Sequence, residues 1–168
     1  MRRGLLWTVV VVAALVLQST VFAQITLLKA QPDLMYLLTV LVALLEGPTS
    51  GAVLGFAGGL AEDFLLTQPK GITALTLTLL GYAVGTVRQY IVSPSALVPV
   101  IMVFAGTAIG LMFNGLVKFL LGQLGEGWGY QLQIALLTGL YNAILTPLVF
   151  PLVRRLAESS RAKRVFRW

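Results

Sequence analysis

Residues 47–63 read GPTSGAVLGFAGGLAED, and this stretch decides the fold of the chain. Glycine recurs every four residues, at Gly47, Gly51, Gly55 and Gly59. The next position in this series is the acidic residue Asp63. Positions four apart stack along one face of an α-helix, so we expect a smooth ridge that ends in an acidic residue. The intervening residues are mostly apolar, which favours lipid as the surroundings, and in lipid such a ridge lets another helix approach closely. The stretch predicts a membrane helix packed inside a bundle or against a partner.

The composition of the whole chain predicts an integral membrane protein. Of its 168 residues, 58% are hydrophobic and 11% are charged, whereas soluble domains carry roughly 25% charged residues. Cysteine and histidine are both absent, which removes the usual zinc and copper ligands, the thiolate nucleophile and the common base at neutral pH. The sequence also has no nucleotide loop and no nucleophile motif. We therefore expect no catalytic site, no cofactor and no metal site.

The apolar runs predict an all-α membrane domain with six transmembrane helices. The predicted spans are 5–28, 32–46, 50–66, 72–92, 96–121 and 130–153, and a basic tail follows at 154–168. A helix needs about 20 residues to cross the hydrocarbon core. The second span is shorter, so it is expected to tilt little, to thin the bilayer or to be hidden by its neighbours. Between spans two and three, Gly47-Pro48 predicts a tight turn and an antiparallel hairpin.

The basic residues predict the orientation of this domain, which would cover residues 1–168. With the N-terminus inside, nine Lys and Arg residues lie on the cytoplasmic side and three on the outer side. The outer residues are Lys29, Lys70 and Lys118. Both termini are therefore expected in the cytoplasm, and the net charge of +6 is interpreted as a topology signal rather than as nucleic-acid binding. The first apolar run also permits a cleaved signal peptide, but it continues to Leu28, which favours a retained span.

A second ridge in steps of four is predicted in the fifth span. It begins with Gly106 and Gly110 and continues to Asn114 and Lys118. This span runs in the same direction as the third, so its polar end lies at about the depth of Asp63. We expect the two ridges to converge and Asp63 to pair with Asn114 or Lys118 on the outer side. The alternative is that Lys118 only extends to the membrane interface.

Small and polar residues in other spans extend the packing hypothesis. Gly81 and Gly85 form a further small face in the fourth span. Gln18 in the first span and Asn142 in the sixth are expected to face other helices, because lipid offers them no partner. Glu62 lies next to the carboxylate of the ridge, but adjacent helical positions point about 100° apart, so the two acids are not expected to share a site.

A series of short motifs runs through the first half of the chain. They are Leu17-Gln18-Ser19-Thr20, Pro32-Asp33, Glu46-Gly47-Pro48, Gly51, Gly55-Phe56, Gly58-Gly59-Leu60, Asp63, Gly71, Leu75 and Gly81-Tyr82. In order and spacing this series resembles the bacterial rod shape-determining MreD family. The second half of the chain is similar to that family only in the number and length of its spans.

The resemblance implies a non-catalytic scaffold of the bacterial cell-elongation machinery. It implies a multi-pass protein of the plasma (inner) membrane that binds the single-span protein MreC and supports peptidoglycan synthesis and cell-shape control. Association with RodA and the elongation transpeptidase, and indirectly with MreB, is implied as well. The family also resembles in fold the six-helix substrate-binding subunits of energy-coupling-factor vitamin transporters.

Such a vitamin-binding subunit is the alternative interpretation of the chain. Its pocket would open outward, where the polar residues are Asp33, Glu62, Asp63, Lys118 and Trp128. Those subunits resemble one another in a first helix with alanines four apart, which dock the transporter's shared membrane subunit. Here Leu17 and Gln18 stand where the second alanine would fall, so that device is missing.

Overall fold

The structure is a computed structural model that describes residues 2–20, 30–65, 71–91, 95, 97–123 and 127–162. Within these ranges the chain forms six α-helices and no β-strand, which confirms the predicted all-α class. The helices are α1 (Arg2–Thr20), α2 (Leu34–Glu46), α3 (Pro48–Leu65), α4 (Ile72–Val87), α5 (Leu97–Leu120) and α6 (Trp128–Ala162). A 3-10 turn, Arg88–Tyr90, follows α4. Helix α6 continues into the predicted tail, whereas residues 21–28 of the predicted first span and 163–168 of the predicted tail lie outside the described residues.

The short helix α2 forms the centre of the bundle. Every residue from Leu34 to Ala43 is buried, as expected for a helix that is apolar on all sides. At 13 residues the helix is about 20 Å long, which is less than the hydrocarbon core of about 30 Å. Helices α3, α4, α5 and α6 pack around it. Of the three predicted ways to accommodate the short span, the structure shows enclosure by neighbouring helices.

Successive helices run in opposite directions. Helix α2 ends at Glu46 and is capped by Gly47, whose φ of +104° suits a residue without a Cβ atom. Helix α3 begins at Pro48, where a missing N–H costs nothing. These two helices form the antiparallel hairpin expected from the Gly-Pro break. Helices α1, α3 and α5 begin at one end of the bundle, here called the basic end because it carries Arg88, Arg154 and Arg155. Helices α2, α4 and α6 begin at the opposite end.

The glycine face of α3 packs against α4 inside the bundle. A Cβ atom added at Gly51 would lie 2.8 Å from the carbonyl oxygen of Gly81, and one added at Gly59 would lie 2.7 Å from the Cα atom of Ala74. Gly55 approaches the α4 backbone in the same way. Any side chain larger than hydrogen would push the two backbones apart. Small residues are therefore what bring these helices into direct contact.

The two ridge glycines of α5, Gly106 and Gly110, pack against α2 and not against α3. A Cβ atom at Gly106 would lie 2.9 Å from Cγ2 of Val40, and one at Gly110 would lie 2.7 Å from Cε1 of Tyr36. Helix α3 packs mainly on α4 and α2. The predicted convergence of the two glycine ridges is therefore wrong. The glycine face of α5 packs against the central helix α2, and the glycine face of α3 packs against α4.

The outer surface of the bundle is apolar. Leu148, Ile109 and Val53, on three different helices, are 74%, 66% and 64% exposed. Large apolar side chains exposed around a bundle are unfavourable in water and suit lipid. Helix α5 and the segment Trp128–Glu158 of α6 are long and apolar enough to cross a membrane, judged by length and composition, and Leu6–Thr20 and α2 are shorter apolar helices.

Candidate functional site

A cluster of polar side chains surrounds the first turn of α2 and is here called the polar clamp. Its members are Gln18, Asp33, Glu62, Thr107 and Asn142. Asp33 directly precedes the helix, and its Oδ1 atom accepts hydrogen bonds from the N–H groups of Met35 at 3.0 Å and Tyr36 at 3.2 Å. An Asp at this position is a preferred cap because it satisfies N–H groups that have no intrahelical partner.

Asn142 of α6 fixes the backbone of the capping residue. Its Oδ1 accepts a hydrogen bond from the Asp33 N–H at 3.1 Å, and its Nδ2 donates to the Asp33 carbonyl at 2.9 Å and to Oγ1 of Thr107 at 3.1 Å. A single amide thus joins α2, α5 and α6, and its side chain is 0% exposed. Polar side chains of this kind bind helices together where lipid offers no alternative partner.

Gln18 of α1 accepts a hydrogen bond from the first backbone amide of α2. Its Oε1 accepts from the Leu34 N–H at 3.0 Å, and its Nε2 donates to Oε1 of Glu62 at 3.1 Å. Glu62 is 5% exposed, and its Oε2 atom has no hydrogen-bond partner among the described residues. Gln18 therefore ties both α1 and α3 to the start of α2.

Asp63 caps the first turn of α4 from the neighbouring helix α3. Its Oδ2 accepts from the N–H groups of Gly71 at 2.8 Å and Ala74 at 3.1 Å, and its Oδ1 accepts from that of Thr73 at 3.3 Å. Gly71 occupies the N-cap position of α4 and has no side chain to do this itself. Because α3 and α4 are antiparallel, the glycine face of α3 leads to the free amides of α4, and those amides favour a carboxylate.

These contacts differ from the pairing of Asp63 with Asn114 or Lys118 that the sequence predicts. Both carboxylate oxygens of Asp63 are directed at α4 backbone amides, which the glycine face itself brings close. Asn114 instead donates from Nδ2 to Oγ1 of Thr76 at 3.5 Å. Lys118 is half-buried and interacts electrostatically with Asp63 and Glu62, but it forms no hydrogen bond with Asp63 in the part of the chain that the structure describes.

A groove lies between α1 and α3 at the basic end of the bundle and is here called the α1–α3 groove. Its volume is about 520 Å³. Helix α2 forms its floor, and the lining residues include Trp7, Val11, Val42, Glu46, Val53 and Ala57. Most of the lining is apolar, and its polar groups lie near the turn between α2 and α3.

The chain matches a family model described as rod shape-determining protein MreD over residues 1–156. The chain belongs to the MreD family. This confirms the resemblance noted from the motifs of the first half, and the match extends through α5 and most of α6. Searches among curated proteins and solved structures gave no significant match.

Family membership makes this MreD-family chain a membrane protein of rod-shape determination. The motifs that carried the resemblance include Gln18, Asp33 and Asp63, which fix the first turns of α2 and α4. Much of what makes the sequence resemble MreD proteins therefore has a structural role in this bundle. The further predicted packing residue Gly85 also lies inside, against the backbone of Pro48.

The sequence interpretation of this MreD-family chain missed two partners in the polar clamp. The sequence analysis places Asp33 in the Pro32-Asp33 motif and in an outward pocket but not at a helix cap, although an Asp directly before an apolar run is a recognised helix-start signal. Thr107 has no comparable signal, since a threonine in an apolar helix commonly bonds within its own helix. Gln18 and Asn142 lie between helices, where they bond mainly to backbone atoms at the start of α2.

The polar groups of this MreD-family chain mainly hold helix ends in place. Asp33 and Asp63 accept from backbone amides, while Gln18 and Asn142 connect neighbouring helices. Across the described ranges, no group of three or more acidic residues is placed to hold a metal ion. The arrangement therefore suits positioning of helices in lipid.

Proposed function

We propose that this protein is a non-catalytic scaffold of the bacterial cell-elongation machinery, which binds an MreC-like single-span protein and supports peptidoglycan synthesis and cell-shape control. Its place in rod-shape determination follows from its family. The observation that carries the scaffold role is the contrast between interior and exterior. Nearly all polar groups of the polar clamp are bonded inside the bundle, and the exterior offers apolar side chains to the membrane. RodA and the elongation transpeptidase are further proposed partners, and MreB is an indirect one.

The proposed topology is six transmembrane helices in the bacterial plasma membrane, with both termini in the cytoplasm. The alternating helix directions support it, and so do Arg88, Arg154 and Arg155 at the end where α1 begins. Helices shorter than a full span, such as α4 with 16 residues, are compatible with it where the bilayer thins or neighbours cover them. We also propose that the six helices have the fold of the substrate-binding subunits of energy-coupling-factor vitamin transporters.

Cysteine labelling tests the proposed orientation, because the chain has no cysteine of its own. Ser95 lies between α4 and α5 at the basic end, and Gln123 follows α5 at the opposite end; both are exposed. A membrane-impermeant maleimide added to intact spheroplasts should label Gln123→Cys and leave Ser95→Cys unlabelled until the membrane is opened. The reverse pattern would place the termini outside.

Copurification tests the scaffold role. The tagged protein is extracted from its native membrane in a mild detergent, and the bound proteins are identified by mass spectrometry. We expect an MreC-like single-span protein together with cell-wall synthases, and none of these with an unrelated multi-span protein that carries the same tag. Recovery of an ATPase pair with a shared membrane subunit would instead establish the vitamin-uptake alternative.

A further inference from the structure

Glu62 differs from the other carboxylates at the end of the bundle opposite the basic end. Asp33 and Asp63 each accept hydrogen bonds from backbone N–H groups at the start of a helix. Glu62 is 5% exposed, and in the described part of the chain it accepts one hydrogen bond, from the Gln18 amide to Oε1. Its Oε2 atom is buried without a partner among the described residues. Leaving a buried carboxylate oxygen without a donor is costly, so a donor that can reach it should stabilise the bundle.

Lys118 on α5 is a cation that lacks a bonded partner. Its side chain is half-buried and interacts electrostatically with Glu62 and Asp63. Within the described ranges its ammonium group forms no hydrogen bond and no ion pair. An ammonium group carries three donors on a flexible four-carbon stem, and its attraction to a carboxylate is stronger where water is excluded. Lys118 therefore has the donors, the charge and the mobility to supply what Glu62 lacks.

A second donor at this end of the bundle is held in place. The hydroxyl of Tyr36 lies near Asn114 and has no partner within hydrogen-bond distance among the described residues. The residue is 1% exposed, and its ring packs so closely on α5 that a Cβ atom added at Gly110 would lie 2.7 Å from its Cε1 atom. An enclosed ring cannot turn toward Glu62 without opening the core, so the mobile donor is the lysine.

We propose that Lys118 and Glu62 form a latch between α5 and α3, in which the ammonium group moves from its half-buried position onto Oε2 of Glu62 and donates a hydrogen bond to it. Helices α3 and α5 have little direct contact, so the closed latch joins two helices that otherwise meet through α2 and α4. In the open position Lys118 extends toward the membrane interface, as long basic side chains commonly do. The latch needs no partner protein, and the purified chain is enough to test it.

Amine labelling in detergent measures how often the latch is closed. A water-soluble N-hydroxysuccinimide ester modifies free amines, and mass spectrometry gives the rate at each lysine. Glu62→Gln keeps an oxygen for the Gln18 amide but removes the charge, so the rate at Lys118 should rise about tenfold, as for a group that is free one-tenth of the time. Asp63→Asn is the matched change at the adjacent carboxylate and should alter this rate by less than about twofold. Unchanged rates in both variants, or an equal rise in both, would overturn the latch.

Thermal unfolding provides an independent test through Lys118→Gln, which removes the ammonium group and leaves both carboxylates in place. In the unsubstituted chain this change should lower the unfolding midpoint by about 3 °C, and in the Glu62→Gln chain by less than about 1 °C. In the Asp63→Asn chain the loss should remain about 3 °C, because Asp63 is not the partner. An equal loss in all three chains would show that Lys118 acts without Glu62, and no loss in any of them would show that the latch does not close. Either result contradicts the proposal.

Discussion

The two faces of α3 are packed by different means. On one face Gly51, Gly55 and Gly59 bring the α4 backbone into direct contact, with no space for a Cβ atom. The other face meets α1 through side chains and leaves a groove of about 520 Å³. In this chain the regular glycine spacing therefore marks an interior contact. A glycine ridge in a membrane helix is not by itself evidence of a partner interface.

Among single substitutions on α3, Gly55→Leu should destabilise the bundle the most. The position already contacts the backbone of Leu77, so a leucine side chain must separate α3 from α4. We expect a loss of about 3 kcal/mol or more in the free energy of unfolding, the upper range for overpacked interiors. The measurement is thermal or denaturant unfolding in detergent, alongside the yield of folded protein.

The matched control for this substitution lies half a turn away on the same helix. Ala57 is exposed and lines the groove, so Ala57→Leu should leave stability within about 0.5 kcal/mol of the unsubstituted chain. If Gly55→Leu proved as mild as Ala57→Leu, the glycine face could not be an interior contact.

Sequence patterns predicted the helices themselves better than they predicted which helices pack against each other. The apolar runs predicted the all-α class, and the Gly47-Pro48 break predicted the α2–α3 hairpin. The helix against which each glycine face packs was not predictable, because a face of small residues can pack closely against any other helix. The central place of α2 follows from its being apolar on every side, but it also depends on how the other helices pack around it.

The candidate site was predictable only in part, for a related reason. Gln18, Asn142 and Asp63 stand out in the sequence because a polar side chain in an apolar helix needs a partner. Their main partners are backbone amides and carbonyls at the starts of α2 and α4. Backbone groups are the same at every residue and leave no sequence signal. The prediction therefore paired Asp63 with other side chains, whereas the structure pairs it with a helix end.

Gln18→Leu tests how firmly α1 is attached to the rest of the bundle. This substitution removes the hydrogen bonds to the Leu34 N–H and to Glu62, which are the main polar links between α1 and the bundle. Interhelical hydrogen bonds in membranes contribute about 0.6–1.7 kcal/mol each, so we expect a loss of about 2 kcal/mol in the free energy of unfolding. Hydrogen exchange should also become faster in α1 than in α3 and α4.

Two neighbouring substitutions provide the control for Gln18→Leu. Among the described residues, the hydroxyl groups of Ser19 and Thr20 bond to the Val16 carbonyl of their own helix, and both side chains are exposed. Ser19→Ala and Thr20→Val should therefore leave the unfolding free energy nearly unchanged. Equal losses from all three substitutions would mean that Gln18 acts through local helix propensity and not through a link to α2 and α3.

Substitutions at Asp63 should have the smallest effect and distinguish a helix cap from an ion pair. Asp63→Ala removes the acceptor for the amides of Gly71, Thr73 and Ala74 at the start of α4 and should cost about 1 kcal/mol, as for other helix caps. Asp63→Asn keeps an acceptor oxygen and should cost less. Combining Asp63→Lys with Lys118→Asp places a cation against the amides of α4, so the exchanged charges should not restore the stability lost in Asp63→Lys. Restoration to the level of the unsubstituted chain would show instead that attraction between positions 63 and 118 outweighs the cap, as the sequence alone predicts.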